Sequence, residues 1–220
     1  MVNPTLLRCD LGVFCASIII VIAALLVPAT ATTAEPKRIL ILGDSLSAAY
    51  GMPSAKSWVS LLAKKLASEN SAFQVINASI SGETTDGGLR RLPTLLKQHK
   101  PKIIIVELGG NDGLRGFPLK VIKTNLTKIT QLAQNANATT LIASMKIPPN
   151  YGQQYTQGFH NIYQHVAENT GAIYIDFILE DFATDPSYMM ADRLHPTAKA
   201  QPLILNTVWQ SLAPYLSPIQ

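Results

Sequence analysis

Cysteine is almost missing from this 220-residue chain, and its two examples, Cys9 and Cys15, both fall in the first fifteen residues. A body with no further thiol has no disulfide, no thiolate metal site and no cysteine nucleophile. Charge is sparse as well, at 15 % of residues and a formal net of +4. The basic residues are scattered, with local pairs only at Lys64-Lys65 and Arg90-Arg91. No basic stripe is interleaved with aromatics, so nucleic acid is not an expected partner. The G-x-x-x-x-G-K-[ST] phosphate loop, the G-x-G-x-x-G fingerprint and the H-E-x-x-H zinc motif are all absent. So is the G-x-S-x-G elbow, because Ser47 stands where its second glycine would be. Internal repeats, linkers and low-complexity tracts are missing too.

What is present begins with a targeting segment. Arg8 lies in a short polar start, Leu11 to Val27 is nearly all apolar, and Ala29-Thr30-Ala31 supplies small residues. That is the three-part layout of a secretory signal peptide, expected over residues 1–34 with cleavage after Ala31 or Ala34. The apolar run is long enough that an uncleaved anchor is the alternative. Residues 35–220 are expected to form one domain outside the cytoplasm, periplasmic or secreted.

Ile39-Leu40-Ile41-Leu42 reads as a short strand buried on both faces, as in parallel sheets. Further strands are expected at Phe73–Ala78, Lys102–Leu108, Thr140–Met145 and Ile173–Ile175. Helices are expected over 57–68, 86–99, 119–136, 155–169 and 197–212. Pro93 predicts a late start or a kink in the second of these. Gly109-Gly110-Asn111-Asp112-Gly113 reads as a glycine loop, and Gly171 as a helix stop. The alternation predicts one doubly wound α/β domain with a largely parallel five-stranded sheet.

In such sheets ligands bind at the carboxyl ends of the strands. Ser45 stands just past the first strand, and the Gly82 and Asn111 loops follow two others. Another loop brings Asp192 and His195. Serine needs a base to take its proton, which His195 can supply, and Asp192 lies near enough to orient the imidazole. Asp176, at another strand end, is the alternative acid. The Ser45 N–H, the Gly82 N–H and the Asn111 side-chain amide are candidate donors to an oxyanion. His99, His160 and His165 read as ordinary surface or helix residues.

Gly43-Asp44-Ser45-Leu46-Ser47, Gly82, Gly109-Gly110-Asn111-Asp112 and Asp192-Arg193-Leu194-His195-Pro196 resemble, in order, the four blocks of the SGNH (GDSL) hydrolases. The likeness runs over roughly Arg38 to Leu216 and is closest to the family's thioesterase, lysophospholipase and arylesterase branch. It implies Ser45 as nucleophile, His195 as base, Asp192 as orienting acid and an oxyanion hole from Ser45, Gly82 and Asn111. It further implies a three-layer α/β/α, flavodoxin-like fold of strand order 2-1-3-4-5, and no metal or cofactor. The departure is Arg193-Leu194 in the variable positions of the last block.

The expected substrate is a small-molecule acyl ester or lysophospholipid, cleaved by a monomer with transient membrane-surface contact. Loop position and apolarity nominate Ile80, Leu114, Phe117, Pro149 and Tyr151 as substrate-binding residues. An acetylesterase acting on carbohydrate is the alternative, and a non-catalytic lipid-binding protein a further one. N-x-[ST] triplets at Asn77, Asn125 and Asn137 are read as coincidence.

Overall fold

A computed structural model describes Met1 and residues 36–69 and 71–216. The expected signal segment and both cysteines lie outside the described residues. The body, Glu35–Gln220, is one compact unit. Among the described residues, no helix is long and apolar enough to cross a membrane.

Five strands form the sheet: β1 (Lys37–Gly43), β2 (Phe73–Asn77), β3 (Ile103–Glu107), β4 (Thr139–Ala143) and β5 (Ile173–Ile175). All pairings are parallel, in the order β2-β1-β3-β4-β5. That is the flavodoxin-like doubly wound arrangement, whose ligand crevice lies where β1 and β3 diverge. Side chains alternate between the two faces. Ile39 and Ile41 of β1, with Ile103 and Ile105 of β3, pack under α1 (Trp58–Ser68) and α6 (Gln201–Leu212). Leu40, Leu42, Ile104 and Val106 face α2 (Thr85–His99), α4 (Leu119–Asn135) and α5 (Gln153–Thr170). Burial on both faces is why the strands are runs of Ile, Leu and Val rather than alternating patterns.

Three expectations need correction. The helix over 86–99 does not start late: Thr84 caps it through Gly87 N–H at 3.2 Å, and it runs from Thr85 through Pro93. Tertiary packing of Leu92 against the sheet holds it despite the missing proline N–H. The glycine loop after β3 is in part a short helix, α3 (Gly110–Leu114). Gly109 has φ 113°, and a Cβ there would lie 2.3 Å from the Tyr163 hydroxyl, so only glycine makes this turn. The last helix begins at Gln201 rather than Thr197. Thr197 is tied backward, its N–H and hydroxyl both donating to the Tyr188 carbonyl at 2.7 and 3.1 Å. The stop at Gly171, φ 72°, is as expected.

Candidate active site

The chain leaves β1 at Gly43 in a tight turn. Ala48 N–H bonds the Asp44 carbonyl at 2.9 Å, and the Asp44 carboxylate accepts from Leu46 N–H at 3.1 Å. Asn77, at the end of β2, donates from its side chain to the Ser47 carbonyl at 2.9 Å and fixes the far end. This asparagine and Asn125, whose amide bonds Thr85 Oγ1, are both used structurally. The turn leaves Ser45 half-exposed at the top of the sheet.

Asp192 and His195 arrive on an irregular hairpin. A bridge pairs Met189 with Pro196, and Met190 N–H bonds the His195 carbonyl at 2.7 Å. At its tip Arg193 adopts φ 57°, a left-handed turn that an arginine enters at a cost of about 1–2 kcal/mol. The tip folds Asp192 back on itself. One carboxylate oxygen accepts from Leu194 and His195 N–H at 2.9 and 3.0 Å; the other meets His195 Nδ1 at 2.7 Å. His195 Nε2 lies 2.9 Å from Ser45 Oγ. The sequence therefore brings Ser45, His195 and Asp192 into one hydrogen-bonded line across 150 residues. Desolvation pushes the Asp192 carboxyl up, but the His195 and Leu194 N–H groups and the imidazole outweigh it and hold it at about 2. Asp176 is elsewhere: it lines a polar cleft with Lys146, His160 and Glu180, so it is not the acid beside His195.

Asn111 sits on α3. One amide N–H donates to Asp44 Oδ2 at 3.1 Å, which leaves the other free. Among the described residues, the N–H groups of Ser45 and Gly82 have no acceptor. Gly82 has φ 79°, and Arg115 binds its carbonyl at 3.2 Å. Ile80 N–H holds this loop to the Gly43 carbonyl at 3.1 Å. Asp112, the neighbour of Asn111, is buried and accepts from Thr85 N–H and hydroxyl at 2.9 and 2.6 Å, anchoring α3 to α2. Burial lifts its carboxyl above the usual range.

A carboxyl pair lies beneath the turn. Glu107, at the end of β3, is fully buried and accepts from the Ser47 hydroxyl at 2.6 Å and Asp44 N–H at 3.3 Å. Desolvation, then the Asp44 charge, push its carboxyl well above the ordinary value, which favours the neutral acid. Burial lifts Asp44 to about 6, opposed by the Leu46 N–H.

Beside Ser45 and His195 opens a mostly apolar cavity of about 220 Å³, lined among others by Asn111, Leu114, Met145, Ile147, Phe177 and Leu194. A cleft of about 340 Å³ shares Ile147, Pro148, Phe177, Leu179 and Leu194 with it and continues past Pro149 to Met189 and Arg193. Of the nominated substrate residues, Leu114 lines the cavity and Pro149 the cleft. Ile80, Phe117 and Tyr151 line neither. Phe117 packs inward on the α4–α5 side of the core, Tyr151 braces the Leu114 carbonyl from outside at 2.8 Å, and Ile80 is 48 % exposed. Sequence reasoning missed Met145, Ile147, Phe177 and Leu179, which directly follow β4 and β5. The strand-end rule that found Ser45 and Asn111 could have found them. It also missed Glu107, a carboxyl inside an otherwise aliphatic buried run.

The GDSL-like Lipase/Acylhydrolase family model matches residues 41–202. The arylesterase of Vibrio mimicus is 46 % identical over 187 residues, covering 85 % of this chain and 94 % of that protein. The thioesterase 1/protease 1/lysophospholipase L1 of Escherichia coli K12 is 42 % identical, covering 87 % and 91 %. The crystal structure of the psychrotrophic esterase EstA from Pseudoalteromonas sp., inhibited by monoethylphosphonate, is 47 % identical with a TM-score of 0.79. That alignment covers 82 % of this chain and 98 % of EstA. A serine presented at a strand end to a histidine–aspartate pair, with this ancestry, makes the protein an ester-cleaving hydrolase. The chain belongs to the GDSL-like lipase/acylhydrolase family.

Proposed function

We propose that the protein is a serine esterase that hydrolyses carboxylic esters and thioesters of acyl chains, lysophospholipids among them, through an acyl-enzyme on Ser45. The observation that carries this reading is the Asp192–His195–Ser45 line, at 2.7 and 2.9 Å, opening onto an apolar cavity. Ser45 Oγ attacks the ester carbonyl while His195 Nε2 takes its proton, and Asp192 keeps Nδ1 protonated and the ring in place. The free N–H groups of Ser45 and Gly82 and the second amide hydrogen of Asn111 receive the developing oxyanion. His195 returns its proton to the departing alcohol or thiol. It then activates a water that releases the acid and restores Ser45.

The acyl chain occupies the cavity of Leu114, Met145, Ile147, Phe177 and Leu194 and extends into the cleft beyond Pro148. The polar leaving group stays at the open side. The arylesterase, thioesterase and lysophospholipase names of the relatives support this substrate range. The enzyme works as a monomer outside the cytoplasm and meets membrane surfaces transiently. The basic–apolar–small order of residues 1–34 and the exposed Tyr50, Ile80 and Leu194 support that placement.

A chain-length series of p-nitrophenyl esters, run beside an acyl-CoA and a lysophosphatidylcholine, tests the proposal. Octanoyl and longer esters are expected to exceed acetyl in kcat/KM, with turnover of all three classes lost in Ser45→Ala. A strong acetyl preference would instead assign a carbohydrate-type deacetylase.

A further inference from the structure

Tyr50 is exposed to 47 %, yet its ring lies against the half-buried His195 rather than the core. Its centroid stands 4.3 Å from that of the His195 imidazole, the planes tilted by 34°. The hydroxyl has no hydrogen-bond partner among the described residues, so the ring itself makes the contact. The backbone that carries it turns left-handed twice, at a cost for Ala49 and at none for Gly51. Ala49 at φ 61° and Gly51 at φ 68° place left-handed residues on both sides of Tyr50. Tyr50 N–H bonds the Ser45 carbonyl at 3.3 Å, and Gly51 packs against the side chain of Met190, at the root of the hairpin that bears Asp192 and His195. The segment thus ties the nucleophile's turn to the base's loop. A strained segment that delivers one exposed aromatic onto one imidazole has a functional rather than a packing rationale.

We propose that Tyr50 is a positioning residue for His195, covering the imidazole with a π face that holds it between Asp192 and Ser45 and stabilises its cationic form when the Ser45 proton arrives. The inference rests on the serine-esterase reading above. An aromatic face attracts a cation through its quadrupole, and the attraction counts here only once the imidazole is charged. The effect therefore falls on the transition state rather than on bound substrate. The charged groups facing His195 are Asp192 on its own loop and Asp44 on the nucleophile turn, while Lys146, which lines the same cavity, is paired with Glu180. Tyr50 is the aromatic group against the ring.

The experiment is kcat/KM against pH for Tyr50→Phe, Tyr50→Leu and Tyr50→Ala with a soluble butyryl ester, each variant's fold checked by circular dichroism. Phenylalanine keeps the π face and is expected to retain wild-type activity and the wild-type acidic limb. Leucine keeps bulk but no π face. It and alanine are expected to lose about 3- to 30-fold in kcat with little change in KM. Both are expected to move the acidic limb to lower pH, since a less stabilised imidazolium forms only at lower pH. Three results would overturn the proposal: leucine matching wild type in limb and rate, phenylalanine failing as alanine does, or a limb that moves to higher pH. Ser45→Ala separates the two readings. Full turnover in that variant removes the serine mechanism, whereas failure of the Tyr50 series alone leaves it standing.

Discussion

Replacing Glu107 with glutamine is expected to gain stability relative to wild type as pH rises from 4.5 to 7. The carboxyl is fully buried, with one oxygen accepting from Ser47 Oγ–H and Asp44 N–H and the other, Oε1, without a partner among the described residues. Its folded-state pKa is raised, by desolvation first and the Asp44 charge second. A raised carboxyl contributes its full stability below the unfolded value of 4.5 and loses it as pH climbs toward the folded pKa. Between pH 4.5 and the folded-state pKa, each pH unit over which Glu107 keeps a proton that the unfolded chain has released costs about 1.4 kcal/mol. Glutamine is neutral in both states and removes that pH-dependent part. It retains an oxygen to accept from Ser47 and Asp44. Burying its NH₂ adds a pH-independent cost of about 1–3 kcal/mol, so the slope is the readout and the absolute difference is not. In thermal melts from pH 4.5 to 7, the Tm difference between variant and wild type is expected to move in the variant's favour by about 3–5 °C for each pH unit over which Glu107 keeps its proton, at about 2–4 °C per kcal/mol. A difference that stays flat with pH would mean that Glu107 ionises in the fold as it does in the unfolded chain. A variant that loses ground as pH rises would mean that the turn needs a carboxylate there. Either result refutes the buried neutral acid. Asp44, lifted to about 6 chiefly by burial, adds a slope of the same sign in the wild-type protein.

Three further substitutions probe the chemistry. Asn111→Ala removes one oxyanion donor and is expected to lower kcat by about 10²–10³ with a smaller change in KM; an unchanged kcat removes Asn111 from the hole. Asp192→Asn leaves the shape of the turn but imposes the wrong imidazole tautomer, and kcat is expected to fall about 10⁴-fold. Asp176→Asn, in the separate polar cleft, is expected to leave kcat within about 2-fold, as for a surface change away from the site. The reverse ranking would exchange the two aspartates.

The parts of the molecule legible in its sequence share a physical cause. Strands such as Ile103–Glu107 carry their signature locally, because burial on both faces forces consecutive aliphatic residues. Ser45 and Asn111 could be nominated because turns at strand ends place polar side chains in the crevice, and Asp192 and His195 because an acid three residues before a histidine can orient its ring. What could not be read depends on contacts between distant segments. The short helix at Gly110–Leu114 exists because Asp112 grips Thr85 and Gly109 clears Tyr163, neither of which a local pattern records. The late start of α6 follows from Thr197 being bound by Tyr188. Phe117 was as apolar as a lining residue needs to be, but it faces the core, and apolarity alone does not tell a groove from an interior. Glu107 and Tyr50 escaped notice for opposite reasons. One hides within an aliphatic strand, and the other resembles an ordinary exposed aromatic until the imidazole beneath it is seen.

The central claim is that Ser45 becomes covalently acylated. Intact-mass spectrometry after brief exposure to a fluorophosphonate reads it directly, with the adduct mapped by proteolysis. One adduct per chain on the peptide that contains Ser45, absent from Ser45→Ala and strongly slowed in His195→Ala, is the expected result. Labelling that persists in Ser45→Ala, or an unlabelled wild-type protein that still turns over ester, would contradict the account.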